Sequence, residues 1–175
     1  MATSCDGCAG DVHAVALCML SRRAYSRREL EEKLARKGFL APAVAAELRR
    51  LERVGLLDET ELARAVRRTE LRRGVGRRGV AAALRRRKLG EDPVAEALSG
   101  VSPDDEREAL GIALGKALRR HAGSAELPGM RRKVIRYLLT RSFPAAEVIA
   151  AVDARLGESE DAEEAVEPTD PPDVP

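Results

Sequence analysis

"VGLLDETELARAV", residues 54–66, decides the architecture of this chain. The stretch that leads into it, "SRRELEEKLARKGFLAPAVAAELRRLERVGLLDE", has the look of the helical part of a winged-helix DNA-binding domain. Such a domain would turn next into a β-hairpin, which needs period-two alternation and β-branched residues. Instead "ETELARAVRRTELRR" brings Leu62, Val66, Thr69 and Leu71 round at helical spacing. Asp58 with Glu61 reads as a capping box, Asp replacing the usual Ser or Thr. A long helix therefore starts here, and there is no wing.

Outward from that helix the chain repeats. Leu30, Leu34, Phe39, Val44 and Leu48 have offsets of 4, 9, 14 and 18 from the first. Val80, Leu84, Leu89, Val94 and Leu98 have the same offsets, as do Val134, Leu138, Phe143, Val148 and Val152. Each copy predicts a longer helix followed by a helical hairpin. Copy one predicts helices over about 11–23, 26–37 and 42–54, with Asp11 as an N-cap, Ser26 and Glu29 as a capping box, and Gly38 and Gly55 as stops. Copy two predicts 58–73, 77–88 and 93–99, with Asp92-Pro93 opening the last. Copy three predicts 103–121, 129–141 and 144–156, opened by Ser102-Pro103 with Asp105 and, for its last helix, by Pro144. The copies are 50 and 54 residues apart. Units of this size bury little surface alone and gain stability by stacking on neighbours. The expected fold is all-α, an elongated array of three tandem three-helix repeats spanning 11–57, 58–101 and 102–156.

Composition agrees with helix. Aromatics are 2% of the chain and Trp is absent, so Leu, Ala and Val must supply the core. The net charge of +2 hides a segregation, because 157–175, "GESEDAEEAVEPTDPPDVP", has eight acids and no Lys or Arg. The rest carries +10. The acidic tail, poor in large apolar residues and rich in Pro, is expected to be disordered, as are residues 1–10. No apolar run approaches the roughly 20 residues that span a bilayer, and the start has no signal-peptide pattern. The expected location is the cytoplasm.

Cys5, Cys8, His13 and Cys18 have the spacing of a zinc knuckle, C-x2-C-x4-H-x4-C. Asp6 and Val12 stand where a knuckle would place an aromatic and a Gly. His13 and Cys18 also fall five residues apart in the segment that Asp11 caps, so a helix would turn them away from each other. These residues are read as no metal site, and no cofactor is expected. The chain has two histidines and neither a nucleophile elbow, a Walker A loop nor H-E-x-x-H, so no active site is read.

Residues 64–88, "RAVRRTELRRGVGRRGVAAALRRRK", hold eleven Lys or Arg and one acid. Solvated helix faces normally mix signs. This imbalance calls for a polyanionic or acidic partner, and it nominates Arg67, Arg68, Arg72, Arg73, Arg77, Arg78, Arg85, Arg86, Arg87 and Lys88 as the binding surface. Gly74, Gly76 and Gly79 read as an inter-helix turn that permits close backbone approach, not a dinucleotide loop, since no strand precedes them. The scarcity of aromatics leaves no row of stacking platforms for bases.

Together these residues resemble the RecX family, bacterial regulators of the RecA recombinase. The resemblance lies in Ser26, Glu29 and Leu30, in Lys37-Gly38-Phe39, in Gly55-Leu56-Leu57-Asp58, in the Arg-x-x-Gly-x-Gly stretch of the middle copy, and in "KVIRYLLTRSF" of the third. It covers about residues 12–155. Arg77 stands where the family often has Pro, Ser142 where it has Gly, and Glu59 where it has Asp. The resemblance implies a non-enzymatic monomer that lies in the helical groove of the RecA filament on single-stranded DNA. It also implies inhibition of filament growth, ATPase, strand exchange and coprotease activities in DNA repair and the SOS response. The alternative is a helix-turn-helix DNA-binding protein that reads bases with Glu47, Arg49 and Arg50 on helix 42–54.

Overall fold

Several helices begin at side-chain caps that the sequence supplies. The computed structural model describes residues 11–122 and 127–164, with side chains described for 11–122 and 128–157. Asp11 accepts from the His13 amide and opens α1 (Val12–Leu20). Ser26 and Glu29 form a full capping box on α2 (Arg27–Arg36). Pro42 lies in the first turn of α3 (Ala41–Arg53), where no amide donor is needed. Asp58 caps α4 (Glu59–Arg72) through the Glu61 amide. The Glu61 carboxylate does not close the expected box but pairs with Arg68 at 2.8 Å. The second trio continues with α5 (Arg77–Arg86) and α6 (Glu91–Ser99). Ser102 and Asp105 form a second full box, on α7 (Pro103–His121), and α8 (Leu127–Thr140) and α9 (Ala145–Glu164) follow. Among the described residues the fold is all-helical.

Five ends differ from expectation by two residues or more. Helix α1 stops at Leu20, three residues short of 23, and α5 at Arg86, two short of 88. Helix α6 starts at Glu91 behind Gly90, so Pro93 sits inside its first turn instead of opening it. Helix α8 starts at Leu127, two residues early. Helix α9 runs to Glu164, eight residues past the expected end at 156 and into the acidic segment. Glu, which fills four of positions 157–164, is a good helix former and helps to propagate an existing helix. The expected disorder of 1–10 and of the tail beyond Glu164 concerns residues outside those described.

Each trio has its own core. Leu30, Leu34, Val44 and Leu48 are buried in the first with Val15, Ala16, Tyr25, Leu51 and Leu57, and Phe39 packs against them. Val80, Leu84 and Leu89 are buried in the second, with Val94 and Leu98 against them. Val134, Leu138, Phe143, Val148 and Val152 are buried in the third. All the positions singled out by the triplicate spacing therefore face a core, each fully buried Leu contributing about 1.5–3 kcal/mol. The turn between second and third helix also repeats. Its left-handed residue is Gly38 in the first module (φ +89°), Lys88 in the second (φ +54°) and Ser142 in the third (φ +67°).

The two joints between modules are built differently. Between the second and third, α4 packs on α7. Leu71 belongs to the margin of both cores. Gly74 (φ +74°) lies against Ala113, where an added Cβ would come within 3.0 Å of backbone. The Gly76 amide donates to the Arg141 carbonyl at 2.9 Å. Close backbone approach at these glycines, expected from sequence, thus serves the joint. Between the first and second modules the recorded ties are polar. Glu59 accepts from the Arg27 amide at 2.8 Å, and Arg87 and Lys88 reach Glu29 and Glu32 on α2.

Candidate partner-binding surface

Stretch 64–88 covers α4, the glycine turn and α5, and its cations divide by what they touch. Arg67 is half-buried; it donates to the Ala97 carbonyl at 3.3 Å and lies over Gly100. Arg77 donates to the Val101 carbonyl at 3.3 Å. Arg87 is half-buried on Glu29, and Lys88 pairs with Glu32. Arg87 and Lys88 thus hold the second module to the first, while Arg67 and Arg77 tie it internally, to α6 and to the link between α6 and α7. Arg68 pairs with Glu61 and donates nothing across a joint, Arg72 bonds the Arg68 carbonyl through Nε at 3.3 Å, and Arg73 pairs with Glu70 at 3.2 Å. All three are exposed. Arg78, Arg85 and Arg86 are exposed and have no recorded hydrogen bond or ion pair among the described residues. The structure thus brings Arg68 and Arg72 together in a groove between α4 and α7 that also holds Asp105 and Glu108. It leaves Arg78, Arg85 and Arg86 on α5 without a carboxylate partner among the described residues.

Glu29, read from sequence as a capping-box residue, also holds the joint between the first two modules. It caps α2 through the Ser26 amide at 3.1 Å and receives Arg87 through Nε at 2.9 Å. Partial burial pushes its carboxyl up, but the Arg87 hydrogen bond, the Ser26 amide and the charges of Arg87 and Arg23 hold it below the ordinary carboxylate range. Glu59 plays a similar part, its Oε2 also accepting from the Gly90 amide at 3.4 Å. The capping-box pattern pointed to Glu29, but nothing local revealed its second partner, which lies 58 residues away.

On α3, Arg49 and Arg50 are exposed, whereas Glu47 is 6% exposed and its Oε1 lies 2.7 Å from His13 Nδ1. Glu47 is therefore a core residue of the first module and cannot reach a base edge. The same contact engages His13, one member of the zinc-like spacing. Cys18 is half-buried on the same helix, and Cys5 and Cys8 lie outside the described residues. Among the described residues no group of three or more metal-ligating side chains converges, and no helix is long and apolar enough to cross a membrane.

Comparison with known proteins now decides the family. The first three-helix domain of RecX matches residues 13–51, which is the trio containing α1, α2 and α3. The regulatory protein RecX of Halorhodospira halophila is 35% identical over 146 residues, covering 82% of this chain and 87% of that protein. This chain belongs to the RecX family. The RecX protein of Mycobacterium sp. (strain JLS) is 33% identical over 154 residues, covering 85% and 84% of the two chains. Among solved structures, RecX from Lactobacillus salivarius superposes with a TM-score of 0.69 at 19% identity, over 83% of this chain and 94% of that one. A second RecX crystal structure gives 0.66 at 23% identity, over 80% and 70%. The three-trio architecture is therefore the RecX fold, and the RecX relatives are named as regulatory proteins.

Proposed function

We propose that this RecX-family chain is a non-enzymatic regulator that binds the RecA filament on single-stranded DNA, in the filament's helical groove, as a cytoplasmic monomer. There it restrains filament growth and with it ATP hydrolysis, strand exchange and coprotease activity, in DNA repair and the SOS response. The observation that carries this reading is the RecX likeness along more than four-fifths of the chain, from relatives named as regulatory proteins. The charge distribution supports it. An array of small modules with exposed cations suits a long, regular, polyanionic partner. The contacting set is proposed as Arg68, Arg72, Arg73, Arg78, Arg85 and Arg86, exposed on α4, its C-cap and α5. Arg67, Arg77, Arg87 and Lys88 act in the second place, by holding that surface in its orientation. Co-sedimentation tests the reading: the chain should pellet with RecA assembled on single-stranded DNA and stay in solution with RecA alone. Equal recovery in both fractions would refute filament recognition.

A further inference from the structure

A second basic groove lies in the first module, outside the stretch that sequence charge singles out. It runs between α1 and α2 and is lined by Met19, Arg22, Tyr25, Lys33, Arg36 and Lys37, four cations and no acid. Tyr25 is buried, with the Arg23 guanidinium 3.9 Å and the Lys33 ammonium 5.7 Å from its ring centre. The ring thus arranges cations and offers no free face to a base. Arg36 and Lys37 are exposed; Glu32, whose carboxylate Lys88 takes up, feels the charge of Arg36, and among the described residues none of Lys33, Arg36 and Lys37 forms an ion pair.

This groove has a counterpart in the second module. The groove between α4 and α5 includes Thr69, Ala83, Arg86 and Arg87, the residues 50 positions beyond Met19, Lys33, Arg36 and Lys37. The same register carries Arg73 opposite Arg23; in this second groove Arg73 pairs with Glu70 and Arg87 with Glu29, which leaves Arg86 as its exposed cation without an ion pair among the described residues. The third module breaks the series. Its equivalents of Lys33, Arg36 and Lys37 are Tyr137, Thr140 and Arg141, and Arg141 donates to the Tyr137 hydroxyl at 2.9 Å.

We propose that the α1–α2 groove is a phosphate-backbone site for single-stranded nucleic acid, repeated in register by the α4–α5 groove, so that two consecutive modules hold one strand. A polynucleotide backbone presents equivalent anions at regular intervals, which suits a strongly cationic groove followed, one repeat on, by Arg86 at the position of Arg36. The buried ring makes recognition sequence-independent, and phosphate contact makes it salt-sensitive. The site deepens the proposed filament reading by adding a direct DNA contact in the first module, but its test needs no recombinase.

The test is fluorescence anisotropy of the full chain with a labelled oligothymidylate across a salt series. Arg36→Gln with Lys37→Gln leaves Lys33 on Tyr25 and removes two exposed charges. It should weaken binding roughly five- to tenfold and reduce the salt slope by about 1.4. The charge-keeping pair Arg36→Lys with Lys37→Arg should bind like the unaltered chain. Amide chemical-shift mapping of the unaltered chain gives a reading that needs no substitution: the oligonucleotide should shift Lys33, Arg36 and Lys37. Unchanged affinity and slope in a folded Gln variant, or shifts confined to other modules, would overturn the proposal. So would a Gln variant that binds the oligonucleotide normally yet fails on the filament, since the groove would then take protein carboxylates. An unaltered chain that needs this groove for the oligonucleotide but ignores RecA filaments would leave the groove standing and sink the filament reading alone.

Discussion

Arg87 grips Glu29 across the joint between the first and second modules, with Nε 2.9 Å and Nη2 3.1 Å from the two carboxylate oxygens, while Nη2 also donates to the Ala24 carbonyl at 2.8 Å. A two-pronged guanidinium pair of this kind fixes orientation as well as distance. It lets one cation of the basic stretch act as a hinge pin.

Replacing Arg87 with Gln should therefore cost about 1–2 kcal/mol at neutral pH, because charged hydrogen bonds in a half-buried site are lost. The cost should depend on pH. Glu29 titrates lower in the folded chain than its ordinary value of 4.5, so its contribution is complete above that value and fades as pH falls through the depressed folded value. Urea denaturation of both proteins from neutral pH to pH 3 checks this. The stability gap should close at the acid end; a gap that stays constant would show that Arg87 acts by packing alone.

The left-handed turn residues make a second prediction. Ser142 holds φ +67° at the place where the first module has Gly38. Ser142→Gly should raise stability by about 1 kcal/mol, the conformational strain of a side chain there outweighing the added freedom of the unfolded chain. Gly38→Ala should lower it by a similar amount. Thermal melting of the two variants should give shifts of opposite sign.

The second joint depends on missing side chains. A Cβ at Gly76 would lie 2.7 Å from the Ser142 carbonyl oxygen and 2.9 Å from the Phe143 ring. Gly76→Ala should destabilise the chain by about 1–3 kcal/mol, since backbone must move to admit the methyl. Hydrogen exchange should show the loss concentrated in α5, α7 and the α8–α9 turn. Uniform loss of protection would mean that this contact does not organise the joint.

Glu47 separates a core role from base reading. His13→Ala would leave the buried Glu47 carboxylate without its 2.7 Å partner and should cost about 1–3 kcal/mol. Glu47→Gln should leave the ranking of duplex DNA sequences unchanged in competition binding. A changed ranking would revive the helix-turn-helix alternative.

Much of this fold is written locally. The apolar offsets from Leu30, Val80 and Val134 report burial because helical periodicity needs only near neighbours. Asp11, Ser26, Asp58 and Ser102 mark helix starts because a cap is a contact across three residues or fewer. The binding surface was less legible. Charge counting finds Arg67, Arg87 and Lys88 alongside Arg78, Arg85 and Arg86, yet only folding shows which cations meet Glu29, Glu32 or a carbonyl from another helix. The same limit hid Lys33, Arg36 and Lys37, since Glu29, Glu31 and Glu32 balance them in sequence while Glu29 and Glu32 are drawn off by the second module. Lys88 in a left-handed conformation carries no residue signature of its own; its register with Gly38 reveals it. The extension of α9 to Glu164 was hidden by acidity, which reads as solvation even where Glu helps to sustain a helix.

Regulation of RecA is tested most directly by ATP hydrolysis by RecA from the same organism on single-stranded DNA. Adding the unaltered chain should suppress hydrolysis in a dose-dependent way. A folded variant carrying Arg72→Glu, Arg78→Glu, Arg85→Glu and Arg86→Glu should fail to do so, because exposed cations that contact the filament would become repulsive. A hydrolysis rate unaffected by excess unaltered chain would show that this protein does not regulate RecA.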